Sequence, residues 1–211
     1  MMTANSKEQP YRPSWVDRFT EWVEELPTPA WAVYAGLGLA LILIQVLFLW
    51  LDGGLAVADV LLPVIVFNGL SIPLLLPYMH LLDVQAVTAL DAMKPTLEMT
   101  APEFDEFRYK LANMPAREPL IAGLGVLAFA LLMELLGIAP ARFAALEQLP
   151  TFAVVFQIFD KAPAFVFGAF FYHTVRQLRL VNTINSNYAR ISLYNLAPLQ
   201  AFSRLTASTA V

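Results

Sequence analysis

The sequence predicts an all-α, polytopic membrane protein with about four transmembrane helices, and three observations predict it. The 211 residues are 58% hydrophobic and only 14% charged, whereas soluble domains usually carry about 25% charged residues. Several apolar runs reach the roughly 20 residues that a helix needs to cross about 30 Å of hydrocarbon. Lys and Arg concentrate in alternate segments between these runs, so the positive-inside rule predicts cytoplasmic N- and C-termini in the inner (plasma) membrane.

The composition excludes several classes of function. The chain has no cysteine, which excludes a disulfide, a thiolate metal site and a cysteine nucleophile. A net charge of −4 offers no basic surface for nucleic acid. The sequence contains no nucleophile elbow, phosphate loop, dinucleotide fingerprint or zinc-protease motif. The chain is therefore expected not to be an enzyme, and its expected partners are the lipid bilayer, protein subunits or a second copy.

Residues 1–29 predict a cytoplasmic N-terminal segment with one amphipathic helix. Ser14 is a favourable N-cap and Asp17 lies in the first turn, while Pro27 and Pro29 end the helix. Two tryptophans on its apolar face favour the membrane interface, and its acidic polar face favours a protein partner as the alternative. The apolar face consists of Trp15, Phe19, Trp22, Val23 and Leu26.

Residues 30–82 predict the first transmembrane hairpin. Its first helix, Ala30–Leu51, is too long for the core of a signal peptide, and the turn Asp52–Gly54 reverses the chain. Small residues four apart on this helix predict a close helix contact, and an internal contact is favoured over a dimer contact. These residues are Ala32, Gly36 and Ala40.

The apolar stretch Leu55–Asp83 contains three prolines and organises the rest of the chain. Each proline removes a backbone donor, and lipid offers the freed carbonyls no partner. Asn68 and Ser71 lie between Pro63 and Pro73, where such partners are needed. The favoured interpretation is a kinked packing helix; the alternative is a broken helix that lines a site or a gate.

Residues 83–118 predict a cytoplasmic helical connector. The second transmembrane helix is expected to continue to about Met93 and to stop at Lys94-Pro95. Thr100 and Glu103 form a capping box for the next helix. That helix carries an apolar stripe and, on its other side, a favourable i,i+4 ion pair. The stripe is Phe104, Phe107, Leu111 and Met114, and the pair is Glu106 and Lys110.

Residues 119–177 predict the second transmembrane hairpin, with a first helix over Pro119–Ile138. Asp160 and Lys161 interrupt the following apolar run, which allows either one helix over 151–175 or two separate segments. The second interpretation is favoured, because charges in the bilayer core cost several kcal/mol. It places 151–159 along the outer surface, starts a new helix at Asp160 and extends Lys161 toward water. The same arrangement predicts an ion pair between Glu134 and Lys161.

Eight polar side chains are candidate site residues. His80 and His173, the only two histidines, are expected at similar depth on two helices, an arrangement that suits bis-histidine haem ligation. The alternative places each imidazole at a helix C-terminus near water, and no buried acid is expected beside either ring. A polar intramembrane site is predicted from Gln45, Asn68, Ser71, Glu134, Asp160 and Lys161.

Residues 178–211 predict a cytoplasmic helical tail with a stripe of Val181, Ile184, Tyr188 and Ile191, and the native chain is expected to continue past residue 211. The segments NMPAREP (113–119), RQLRLVNTI (176–184) and ISLYNLAPLQAFSRLTA (191–207) resemble uncharacterised multi-pass membrane proteins of bacteria. The resemblance implies further hydrophobic helices and no particular activity.

Three functions are compatible with these features. The favoured one is a non-enzymatic assembly or sensor module that contacts partners through its amphipathic helices, 14–26, 101–114 and 175–192. The second is a small channel or transporter built on the proline-containing second helix. The third is a redox subunit that ligates haem through His80 and His173.

Overall fold

Six α-helices and two short 3₁₀ helices form the part of the chain that this computed structural model describes, residues 10–138, 146 and 148–188. Four of the α-helices are long and apolar enough to cross a membrane, which confirms the predicted all-helical architecture with four candidate spans. Short 3₁₀ helices over Gly54–Val57 and Lys94–Thr96 flank the third α-helix. The α-helices are α1 (Trp15–Glu24), α2 (Ala30–Leu51), α3 (Ala58–Met93), α4 (Ala101–Ala112), α5 (Glu118–Leu135) and α6 (Pro150–Asn187). The predicted tail beyond Tyr188 lies outside the described residues.

Capping boxes begin α1 and α4, as the sequence predicts. The Ser14 N–H donates to Asp17 Oδ2 at 2.9 Å, and the Asp17 N–H donates to Ser14 Oγ at 3.3 Å. At α4, the N–H and Oγ of Thr100 both donate to Glu103 Oε2, at 2.8 and 2.7 Å. Each box satisfies backbone donors that the first turn of a helix leaves unpaired.

The buried face of α1 agrees in part with the predicted apolar face, since Trp15, Phe19 and Val23 pack into the core. Val16, Thr20 and Val23 are buried, whereas Trp22 is 52% exposed. Asp17 is also buried, and its carboxylate accepts a hydrogen bond from the backbone N–H of Met114 at 2.9 Å. This hydrogen bond joins the start of α1 to the residue two positions after the end of α4.

The helix α3 runs without interruption through Pro63, Pro73 and Pro77. The ring of Pro73 packs beside Gly38 of α2, where a Cβ added to Gly38 would lie 3.2 Å from Pro73 Cγ. Pro73 is therefore a packing residue, in agreement with the favoured interpretation of this stretch. Pro63 faces a cavity that is described below.

The small residues of α2 do not form the predicted internal contact. Gly36 and Ala40 are exposed, and a Cβ added to Gly36 would meet no atom within 4 Å. Together with the half-buried Ala32, they point away from α3. The prediction is wrong because α2 approaches α3 through Gly38, two positions along the helix, where Pro73 and Leu70 fill the space.

The helix α6 is continuous from Pro150 to Asn187, with Pro163 inside it. The favoured interpretation, in which residues 151–159 lie on the surface and Asp160 caps a new helix, is therefore wrong. The physical reason is that Lys161 has two carboxylate partners, Glu134 and Asp160, at 3.0 and 2.9 Å. Paired charges are tolerated inside a helical bundle much better than isolated ones.

The helix α5 packs mainly against α6. Their backbones cross closely, since a Cβ added to Gly168 would lie 2.5 Å from the carbonyl oxygen of Ala122. On the facing helix, a Cβ added to Gly123 would overlap the ring of Phe165. This single line of contact leaves space on both sides of α5.

The second halves of α3 and α6 pack with α4 into what we call the α4-end bundle. The predicted apolar stripe of α4 faces inward, and the predicted pair Glu106–Lys110 forms on its outer side at 2.5 Å. The ring of Tyr188 lies against that of Phe107, with centroids 5.5 Å apart. The buried core of the α4-end bundle is Ala86, Ala89, Leu90, Met93, Phe104, Leu111, Val181 and Ile184.

Candidate functional site

An open cavity of about 830 Å³ lies between α3, α5 and α6; we call it the intramembrane cavity. Most of its wall is apolar. Asn68, Ser71 and Asp160, half of the predicted intramembrane site, line it together. The remaining lining residues are Pro63, Val64, Val66, Phe67, Leu70, Leu74, Leu75, Val126, Pro163, Ala164 and Phe167.

Asn68 is the most confined polar group of this cavity. Its side chain is 3% exposed, and Nδ2 has no hydrogen-bond partner among the described residues. Ser71 donates its hydroxyl to the carbonyl oxygen of Phe67 at 2.6 Å and so stays bonded to its own helix. A buried donor without a partner costs about 1–3 kcal/mol. Asn68 is therefore the residue of the cavity with the most to gain from an added hydrogen-bond acceptor.

Gln45 does not line the intramembrane cavity. It is fully buried on α2, where Nε2 donates to the carbonyl oxygen of Leu41 at 3.0 Å. Its Oε1 atom has no hydrogen-bond partner among the described residues. The structure thus separates Gln45 from the residues with which the sequence grouped it.

The predicted ion pair between Glu134 and Lys161 is present, with Nζ 3.0 Å from Oε2. Lys161 also contacts Asp160 at 2.9 Å, and Gln157 Nε2 donates to Glu134 Oε1 at 2.9 Å. Lys161 lines a second open cavity of about 540 Å³, whose wall is formed by residues of α1, α2, α3, α5 and α6. These contacts join the end of α5 to the middle of α6.

His173 belongs to a buried polar cluster that sequence reasoning missed. Its Nε2 lies 2.8 Å from Asp83 Oδ1, and Gln177 Nε2 donates to the same oxygen at 2.8 Å. His173 and Gln177 are at most 1% exposed, and Asp83 is 8% exposed. The expectation that no buried acid lies beside a histidine is therefore wrong. One available signal was the spacing of His173 and Gln177, which places both on one face of a helix.

His80 also contacts a carboxylate, that of Glu24, with Nε2 2.7 Å from Oε1. Both of these side chains are partly exposed. The two histidines therefore present Nε2 to two different acids, and a haem bound through Nε2 of both rings would have to displace both acids. No group of three or more acidic or histidine side chains that could hold a metal ion occurs in the described part of the chain.

The segment before α1 joins α4 to α6 beside this cluster. The Tyr11 hydroxyl donates to the carbonyl oxygen of Asn113 at 2.8 Å and accepts from Arg176 Nη2 at 2.5 Å. The Tyr109 hydroxyl donates to the Tyr11 carbonyl oxygen at 2.6 Å. Burial raises the pKa of the Tyr11 phenol well above its usual range, so Tyr11 remains a neutral donor. These contacts join residues about 100 or more positions apart, beyond the reach of local sequence patterns.

Comparison with known proteins gives no family for the chain: no family model, curated protein or solved structure matches it. Function must therefore be inferred from the residues and their geometry.

Proposed function

We propose that this chain is a non-enzymatic sensor module of the inner (plasma) membrane, in which occupancy of the intramembrane cavity alters the α4-end bundle on the cytoplasmic side. One observation carries the proposal: α3 and α6 both line the cavity and both continue, unbroken, into the core of that bundle. A rigid helix transmits a displacement along its length better than a loop does.

The lengths of these helices support the proposal. With 36 and 38 residues, α3 and α6 extend about 54 and 57 Å, whereas the hydrocarbon layer is about 30 Å thick. Each helix is therefore about 25 Å longer than the hydrocarbon layer is thick. Pro63 and Pro163 face the cavity, and a proline is where a helix bends most readily, because one backbone hydrogen bond is missing.

The partner surface differs from the one that the sequence suggests. The apolar faces of α1 and α4 are occupied inside the protein, so they are not free for a partner subunit. Exposed acidic residues lie on the outer side of α1 and at its C-cap, namely Glu21 and Glu25. We expect a partner with a basic surface at this end of the protein.

The test uses larger side chains to fill the intramembrane cavity and measures the distance between α4 and α6 in the α4-end bundle. The chain has no cysteine, so spin labels attached at Glu106→Cys and Asn182→Cys give a single α4–α6 distance. Double electron–electron resonance measures that distance. Ser71→Trp on α3 and Ala164→Trp on α6 fill the cavity. The matched control is Val60→Trp, since Val60 is 56% exposed and does not line the cavity.

Filling the cavity should move the mean label distance by about 1–2 Å, the size of helix shifts in known switches. Val60→Trp should leave the distance unchanged. If the cavity-filling variants and the control give the same distance distribution, the helices do not couple the two regions and the sensor proposal is wrong.

A small channel or transporter is the second candidate, favoured by the polar residues Asn68, Ser71 and Asp160 on the wall of an open cavity. It predicts that Asn68→Leu abolishes solute flux in proteoliposomes while expression and folding are retained. Unchanged flux in that variant would count against transport through this cavity.

A further inference from the structure

The Asp83–His173–Gln177 cluster lies between the two regions that the sensor proposal connects. On α3, Asp83 follows the last cavity residue, Leu75, and precedes the first core residue of the α4-end bundle, Ala86. On α6, His173 lies in the same way between Phe167 and Val181. The cluster is thus a polar contact between two long helices at the entrance to the bundle.

We propose that Asp83 and His173 form a proton-binding site whose bound proton clamps α3 to α6. The 2.8 Å contact between His173 Nε2 and Asp83 Oδ1 supplies the geometry of a charge-assisted hydrogen bond. The same oxygen accepts a second hydrogen bond, from Gln177. An oxygen that accepts two donors favours an ionised carboxylate, which calls for a cationic ring beside it.

The charged and titratable groups around the pair increase the need for a proton. The carboxylate of Asp17 on α1 disfavours a second negative charge at Asp83, and Tyr11 lies in the segment that precedes α1. From α4, Tyr109 donates to the Tyr11 carbonyl; from α6, Arg176 donates to the Tyr11 hydroxyl. The positive charge of Arg176 is thus directed at Tyr11 rather than at Asp83.

The net charge of the buried Asp83–His173 pair decides whether a bound proton strengthens or weakens the contact between α3 and α6. With a neutral His173, the ionised Asp83 is an uncompensated buried charge close to a second carboxylate, which is strongly unfavourable. One added proton removes the net charge of the pair, and the two hydrogen bonds at Asp83 Oδ1 favour the ionised carboxylate, which leaves the proton on the imidazole. The proton is therefore the ligand that makes the α3–α6 contact stable.

Two unpartnered atoms fit this assignment. His173 Nδ1 and Gln177 Oε1 are buried without hydrogen-bond partners among the described residues. In a neutral ring that donates from Nε2, both atoms are acceptors. In the imidazolium, Nδ1 becomes a donor; Gln177 Oε1 lies one helical turn away on the same helix, and a bond between the two atoms requires one of the side chains to rotate.

The first test reads the protons directly by nitrogen-15 NMR of histidine-labelled protein. The chain has two histidines, so His80→Gln leaves the ring of His173 as the sole signal. We expect both ring nitrogens to be protonated at pH 7.5, where an ordinary imidazole is mostly neutral. Adding Asp83→Asn should remove the second proton, since burial alone disfavours the charged ring.

Either of two results would overturn the assignment: a neutral His173 ring at pH 7.5 in His80→Gln, or the same ring state with and without Asp83→Asn. The first result needs no substitution in the cluster, so it decides the question even if Asp83→Asn fails to fold. Neither spectrum depends on whether cavity filling moves the bundle, so the sensor proposal can fail without affecting this test.

A second measurement tests the clamp itself. In the His80→Gln background, the thermal midpoint should fall as the pH rises from 6 to 9, because the bound proton is lost. The double change Asp83→Asn/His173→Gln replaces the pair by neutral polar groups and should remove most of that dependence. A midpoint that does not fall, or that falls equally in both proteins, contradicts a proton clamp.

Discussion

Asp52 caps a helix that begins almost 100 residues later: its Oδ2 accepts a 2.7 Å hydrogen bond from the backbone N–H of Phe152. The first N–H groups of a helix have no partner within it, and Leu149, the residue before α6, supplies no side-chain cap. The negative carboxylate also suits the positive end of the helix dipole. The turn between α2 and α3 thereby fixes where α6 begins.

Replacing Asp52 by Ala should destabilise the protein by about 1–2 kcal/mol, the usual cost of a lost N-cap. Asp52→Asn keeps an acceptor oxygen and should cost less. Asp59→Ala is the control, because Asp59 is an exposed acid in the first turn of the neighbouring helix α3. Unfolding in detergent measures all three, and an equal loss for the Asp52 and Asp59 alanine variants would contradict the cap.

The contact between α5 and α6 depends on Gly168. A Cβ at this position would lie 2.5 Å from a backbone oxygen, so Gly168→Ala must push the helices apart and should cost about 1–3 kcal/mol. Gly125→Ala is the matched control on α5, where an added Cβ meets nothing within 4 Å. Thermal unfolding should separate the two variants. If Gly125→Ala is as harmful as Gly168→Ala, close packing is not the cause.

Local signals in the sequence predicted local structure well. The bounds Ala30–Leu51 of α2 follow from one apolar run, and the starts of α1 and α4 follow from capping boxes whose members are three residues apart. The capping boxes depend on residues within one helical turn and the bounds of α2 on one continuous run, so the local sequence is enough to predict them.

Features that depend on the rotation of a helix were harder to predict. The exposed Gly36 and the packed Gly38 are two positions apart on an apolar helix, and only contact with Pro73 distinguishes them. The contact of Asp83 with His173 joins residues 90 positions apart. The Glu134–Lys161 pair was predictable because two opposite charges in apolar helices have few other partners.

That pair should behave as a partly buried ion pair. Lys161→Met removes the ammonium group that contacts both Glu134 and Asp160 and should cost about 1–3 kcal/mol. The combination Lys161→Met/Glu134→Gln should cost less than the sum of the single changes, because it also removes one unpaired charge. The side chains of Lys161 and Glu134 are 16% and 30% exposed, so water screens part of the interaction.

The exposed pair Glu106–Lys110 provides the reference for this double-mutant cycle. It is an i,i+4 pair on the surface of α4, and such pairs contribute about 0.3–0.5 kcal/mol. The coupling energy of Glu134 and Lys161, measured by unfolding in detergent, should clearly exceed that value. Equal coupling energies in the two cycles would show that Lys161 is effectively solvated.

The start of α4 should respond to acid through Glu103. Two hydrogen bonds from Thr100, one from its hydroxyl and one from its N–H, lower the pKa of the Glu103 carboxyl below its usual value. Since the folded form holds the proton less tightly than the unfolded chain, the capping box stabilises α4 above the ordinary glutamate pKa. This stabilisation is lost as the pH falls through the lowered value.

The hydroxyl can be tested apart from the backbone donor. Thr100→Val removes the hydroxyl but keeps the N–H, so the pKa of Glu103 should rise part of the way toward its ordinary value. Thr100→Ser keeps both donors and should leave the pKa low. Carbon-13 NMR of the glutamate carboxyl across pH 2–7 measures the change. If Glu103 titrates identically in Thr100→Val and Thr100→Ser, the backbone N–H alone lowers its pKa. The threonine hydroxyl then contributes nothing to this shift.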